Sequence, residues 1–216
     1  MDDILQPILH SPRLKEYMNE LSSYIKTEEE KREHFYATVT EQEKAEFING
    51  EVVYHSPVIR KHNYVTGNLF TLLKSFVGAN NLGFVGIEKI LTKLSRNDFE
   101  PDICFFRKEV ADTFSDKTMF FPAPDFIAEI LSKSTEKNDR GVKFEDYAFH
   151  EVKEYWIIDP DNETVEQYLL DDEKKYKLFV KLNEGMIYCK TVPGFNIPVK
   201  ALFNEATNND TLKQMI

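Results

Sequence analysis

The run Phe126-Ile127-Ala128-Glu129-Ile130-Leu131 is a short apolar stretch interrupted by one carboxylate, and Pro124-Asp125 precedes it as a turn signal. Its length and composition predict a buried central strand. A carboxylate there loses its hydration, which is costly unless the group is paired or coordinates a cation. Upstream, Pro101-Asp102 opens Ile103-Cys104-Phe105-Phe106, a second strand in which proline is tolerated because the first residue needs no ladder donor. Downstream, Ser132, Ser134 and Thr135 offer capping hydroxyls to a helix predicted over 138–150, which carries Lys143. Asp102 and Glu129 could share one hard cation through oxygen ligands, which suits magnesium, an ion that keeps several waters. The structural alternative is a buried Glu129 paired with an internal Arg or Lys.

Outward from this centre, helical spacing of Val65, Leu69, Leu72, Leu73 and Phe76 predicts an amphipathic helix over 62–80 with His62 in its first turn. Strands are expected at 84–88, 90–94 and 103–106, with Asn97-Asp98 as the turn before the last of them. A further strand is expected at 154–159. Beyond it, alternation in Tyr176, Leu178, Val180 and Leu182 predicts an antiparallel meander with a strand over 165–170. Residues 12–46 are highly charged, with Leu14, Tyr17, Met18, Leu21 and Ile25 at helical spacing, so residues 1–46 read as a helical extension packed on the domain. Asn49-Gly50 between apolar pairs then marks a two-residue hairpin turn, with Glu51 opening the next strand. The order of elements is an αβββαβ core: an α/β (mixed α+β) domain over 47–216 whose mixed sheet is flanked by helices.

Composition bounds the function. The chain has 216 residues, 42% apolar and 30% charged, which fits one globular domain rather than a disordered segment. No apolar run is long enough for a membrane span, and Met1-Asp2-Asp3 lacks the basic start of a signal peptide, so a cytoplasmic location is expected. Cys104 and Cys189 are too few and too far apart for a disulfide framework or zinc site. A net charge of −10 opposes polyanion binding in general. Charge is unevenly spread, however: Arg60, Lys61, Lys89, Lys93, Arg96, Lys133, Lys137 and Arg140 lie near the candidate site in sequence, and a polarised surface can still bind DNA.

Taken together, Phe47-Ile-Asn-Gly-Glu51, His62 opening a helix, Pro101-Asp102, Glu129-Ile-Leu-Ser-Lys-Ser-Thr135, Asp139-Arg-Gly-Val-Lys143, Tyr147 and Glu154-Tyr-Trp-Ile-Ile-Asp-Pro160 resemble the Uma family of restriction endonucleases, within the PD-(D/E)XK nuclease superfamily. The resemblance implies a restriction-endonuclease-like fold and metal-dependent phosphodiester hydrolysis, with Asp102 and Glu129 as metal ligands and Mg2+, or Mn2+ as substitute, as cofactor. The superfamily pattern places a lysine two residues after the glutamate, where this chain has Leu131. A lysine from the next helix, Lys143, is the implied replacement, stabilising developing negative charge. Glu51 and His62 are further catalytic candidates under the resemblance, and Glu88 is a possible additional ligand. The expected partner is nucleic acid, double-stranded DNA foremost, cut by a homodimer whose two sites face the two strands. The rival readings are a nuclease fold with a weak or lost site that binds nucleic acid or a protein partner, and a structural protein whose acids pair internally.

Overall fold

Alternation along the strands sorts the side chains into two faces, and that sorting decides where the carboxylates go. The computed structural model describes residues 4–40 and 42–215; the start Met1-Asp2-Asp3 lies outside them. In chain order the first half comprises α1 (Gln6–Leu9), α2 (Leu14–Thr38), β1 (Ala45–Ile48), β2 (Glu51–Tyr54), α3 (Arg60–Ala79), β3 (Gly83–Ile87), β4 (Leu91–Lys93), β5 (Asp98–Phe99) and β6 (Ile103–Arg107). There follow α4 (Lys108–Ala111), β7 (Phe120–Phe121), β8 (Phe126–Ile130), α5 (Glu136–Asp139), α6 (Val142–Phe149), β9 (Glu154–Asp159), β10 (Thr164–Leu170), β11 (Tyr176–Leu182), β12 (Met186–Tyr188), β13 (Asn196–Pro198) and α7 (Glu205–Met215).

The main sheet has six strands in the order β11-β10-β9-β8-β6-β3. Its neighbours are antiparallel except β8 and β9, which run parallel and are joined over the sheet by α5 and α6. A parallel pair requires such a crossover. On one face Ile103, Phe105, Phe126, Ala128, Ile130 and Trp156 pack against Val65, Leu69, Leu72 and Leu73 of α3. On the other, Cys104, Ile127, Tyr155 and Ile157 pack against Tyr147 of α6. Odd and even positions of β6 and β8 thus belong to opposite faces, as the two-residue period of a strand requires. The α3–β3–β6–β8–α6–β9 order is the expected αβββαβ core on a mixed sheet flanked by helices, and β10–β11 form the expected meander.

Some local expectations give way to longer-range constraints. The strand expected at 90–94 is β4, and it joins a second, five-stranded sheet of order β2-β1-β5-β4-β7. Asp98 is a strand residue rather than a turn residue, because its carboxylate is buried against Arg32 at 2.5 Å and Tyr36 at 2.9 Å. The helix expected over 138–150 is broken at Arg140-Gly141 into α5 and α6. At Gly141 a Cβ would stand 2.7 Å from the Lys137 carbonyl oxygen, so only glycine fits the break. Helix α2 ends at Thr38, not 46, and residues 45–48 form a strand instead. Asn49 (φ 49°) and Gly50 (φ 83°) supply the two left-handed positions of the β1–β2 turn. The apolar stripe of α2 does not dock along its length: Met18, Leu21 and Ile25 are exposed, and the helix meets the domain through Phe35, Tyr36 and Arg32 in its C-terminal half. Among the described residues no helix is long and apolar enough to cross a membrane.

Candidate active site

The antiparallel register pairs Ile103 with Ala128, and one step further along it Asp102 falls opposite Glu129. The two acids are tied together by backbone: the Asp102 N–H donates to Glu129 Oε2 at 3.1 Å, and the Ile130 N–H donates to Asp102 Oδ2 at 2.9 Å. From α3, His62 brings Nε2 to 3.1 Å from Asp102 Oδ2. From α6, Lys143 places its ammonium 3.0 Å from Glu129 Oε1, where the Tyr147 hydroxyl also donates at 2.9 Å. Lys143 additionally reaches Glu46 of β1 at 2.9 Å and Asp139 of α5 at 3.5 Å. Lys44, just before β1, lies 2.7 Å from Glu88 and 3.2 Å from Asp102. Of these groups Lys44, His62, Asp102, Glu129, Asp139 and Lys143 open onto a cavity of about 410 Å³, walled on its apolar side by Val58, Ile59 and Leu131 and bordered by Lys61 and Lys133.

Carboxylates outnumber cations here. Burial pushes the Glu129 carboxyl up to about 8; Lys143 opposes that rise, while the charges of Asp139, Asp102 and Glu46 add to it. Burial acts the same way on Asp102, but the His62 hydrogen bond, Lys44 and the Ile130 N–H overcome it and hold that carboxyl well below its usual range. Glu46 is likewise held down, at about 2: burial is outweighed by Lys143 and His55. Lys143 stays charged despite burial because Glu129, Glu46 and Asp139 surround it. His62 is raised, burial being overcome by its bond to Asp102. Adjacent acids pushed in opposite directions are a common mark of a functional site.

A divalent cation fits this donor set. Asp139 Oδ1 is buried and meets Lys143 at 3.5 Å without a hydrogen bond, and that one ammonium is shared with Glu46 and Glu129. The available ligands are carboxylate oxygens and an imidazole rather than thiolates, which suits a hard ion. His62, Glu88 and Asp102 each offer a ligand atom within 4.8 Å of the others'.

Of the residues singled out in the sequence, Asp102, Glu129, Lys143 and His62 line this cavity together, and Glu88 stands beside Asp102. Glu51 does not join them: it lies on the exposed arm of the β1–β2 hairpin, paired with Lys31 at 2.5 Å. It pairs with Ile48 at the turn end of the hairpin, on the face that carries Glu46 but on the outer, solvent-exposed strand. Arg96 and Arg140 are also spent elsewhere, on Glu28 and Glu166. Sequence reading missed Lys44 and Glu46, which fell inside the over-extended N-terminal helix. The signal available was Ala45-Glu46-Phe47-Ile48 directly ahead of Asn49-Gly50, since a hairpin turn needs an arm on both sides.

Comparison with known proteins places this geometry. Residues 32–200 match the model of the Uma2 family, described as "Putative restriction endonuclease". An uncharacterised protein of Synechocystis sp. is 31% identical over 146 residues, which cover 66% of this chain and 81% of that protein. The crystal structure of a "putative nuclease belonging to DUF820" from Anabaena variabilis superposes with a TM-score of 0.67 at 19% identity, covering 78% of this chain and 94% of the other. At that identity the likeness speaks for the fold.

Proposed function

Because the chain belongs to the Uma2 family, we propose that it is a divalent-metal-dependent endonuclease that hydrolyses phosphodiester bonds in double-stranded DNA, with magnesium as the ion and manganese as its substitute. The observation that carries the reading is the meeting of Asp102 and Glu129 from neighbouring strands in one cavity, with the Lys143 ammonium 3.0 Å from Glu129. Asp102 and Glu129 would hold the ion, with Glu88 and His62 beside Asp102 as further donors. Bound there, it supplies charge neutralisation at a phosphate and acidifies a water. Lys143 presents a fixed positive charge toward the negative charge that develops on the phosphoryl oxygens, in place of the aliphatic Leu131. His62 orients the Asp102 carboxylate through their 3.1 Å contact. Val58, Ile59 and Leu131 keep bulk water from one side, while Lys61 and Lys133 at the rim offer contacts to the flanking backbone.

Two copies related by a two-fold axis would cut both strands of a duplex. The test is cleavage of supercoiled and linear DNA by the purified chain with EDTA, Mg2+ or Mn2+. Cleavage should require the ion, and Asp102→Ala should abolish it while circular dichroism stays unchanged. An Asp102→Ala protein that cuts as well as the parent refutes the assignment, and ion-independent cutting refutes the metal requirement. Light scattering that gives a monomer, together with nicking alone, refutes the two-fold pairing.

A further inference from the structure

We propose that Lys44 is the resident counter-cation of the Glu88–Asp102 cleft, and that a divalent ion enters by displacing its ammonium. The inference rests on the metal-dependent reading and adds the group against which the ion competes.

The Lys44 ammonium touches Glu88 Oε2 at 2.7 Å and Asp102 Oδ1 at 3.2 Å. Those two carboxylates and His62 converge, with one ligand atom from each inside 4.8 Å. An ion ligated there at roughly 2.1 Å from the oxygens would occupy the volume in which the ammonium makes its contacts. Two cations cannot share it. The convergence is built into the backbone: the Glu88 N–H donates to the Asp102 carbonyl at 2.9 Å, continuing the β3–β6 ladder. Glu88 also holds φ 58°, a left-handed conformation uncommon for a non-glycine residue and often found where function requires it.

Lys44 and Lys143 differ in their freedom to leave. Lys143 is 3% exposed and held by three carboxylates, so its charge is fixed. Lys44 has 16% of its side chain exposed and lines the open cavity. Its backbone is held separately, because the Lys44 carbonyl accepts the His55 N–H at 3.0 Å. The side chain can therefore swing into the cavity without disturbing the β1–β2 hairpin. In the ion-free protein it keeps Glu88 and Asp102 from repelling one another; with an ion present its charge is redundant there.

The experiment measures Mn2+ binding to the chelator-stripped full chain at one pH, by calorimetry and by electron paramagnetic resonance of free Mn2+. Lys44→Gln should bind Mn2+ at least about tenfold more tightly than the parent, because a repelling charge has gone. Lys44→Arg, which keeps the charge, should not. A second measurement uses the unmodified chain: acetylation by an N-hydroxysuccinimide ester, read by mass spectrometry, should become faster at Lys44 when Mg2+ is added and stay slow at Lys143. If the parent binds Mn2+ but Lys44→Gln binds it equally or more weakly, the displacement idea is overturned while the nuclease reading stands. Protection of Lys44 by Mg2+ overturns it as well. If neither protein binds Mn2+, the metal-dependent reading falls and this inference falls with it.

Discussion

Replacing Glu129 by glutamine should make the stability curves of variant and parent cross as pH rises. The Glu129 carboxyl moves from 4.5 in the open chain to about 8 in the fold. Between those values the native state keeps a proton that the unfolded state has lost. Stability is therefore greatest below the lower value and falls as pH rises toward the upper one. At about 1.4 kcal/mol per pH unit the ceiling on this loss is about 5 kcal/mol above pH 8 and about 3 kcal/mol at pH 7. A glutamine never ionises, so it escapes the loss. Its carbonyl can still accept from Lys143 and Tyr147, but its amide would face the Asp102 N–H that Glu129 Oε2 now accepts. That donor–donor mismatch costs about 1–3 kcal/mol at every pH. The variant should thus be less stable than the parent near pH 5 and more stable, by up to about 2–4 kcal/mol, near pH 8. Urea unfolding of both proteins in EDTA across pH 5–8 tests this, since other titrating groups largely cancel in the difference. A stability difference that does not change over that range refutes the reasoning. Added Mg2+ should restore the parent at pH 8 and leave Glu129→Gln unaffected.

Lys143→Met should lower stability by about 3–5 kcal/mol at pH 7.5, because it leaves Glu46 and Asp139 buried without their shared cation; a urea midpoint within error of the parent would contradict this. Gly50→Ala should cost about 1 kcal/mol, since Gly50 sits at φ 83° and a Cβ there would meet Glu28 Cγ at 3.2 Å; thermal melting reads it, and an unchanged Tm would show that the turn adapts.

The parts of the fold that could be read from sequence were those decided locally. Asn49-Gly50 announces its turn because few other pairs accept two left-handed positions, and residues 154–159 announce a strand because the run is short, apolar and closed by Asp-Pro. What could not be read depends on distant partners. The charged run ahead of Ala45 looks like continuing helix, and only the pairing of Ala45 with Tyr54 and of Phe47 with Asp98 makes residues 45–48 a strand. That pairing carries Glu46 to Lys143, a contact across nearly a hundred residues that no local pattern encodes. The periodicity of Leu14, Tyr17, Met18 and Leu21 correctly marks a helix but does not say which face finds a partner, and Leu21 at 55% exposure shows that this one does not. For Asp102 and Glu129, placement on one face follows from strand alternation plus register, and register is fixed by tertiary structure.

The step that sets Asp102 opposite Glu129 also governs how the chain reaches its native state. Lys44, Glu46, His62, Glu88, Asp102, Glu129 and Lys143 come from six separate segments of the sequence, Lys44 and Glu46 sharing one, so the site is complete only after β1, α3, β3, β6, β8 and α6 have all docked. Until then the acids are hydrated and repel one another when brought close. Such long-range closures are slow, because loop entropy is lost before the contacts form. The last association in folding should therefore be the one that brings Lys44 and Glu46 to Asp102 and Lys143, because Lys143 is only 14 residues from Glu129 whereas these contacts close much longer loops. Refolding rate should accordingly rise with ionic strength, which screens the carboxylates during the approach.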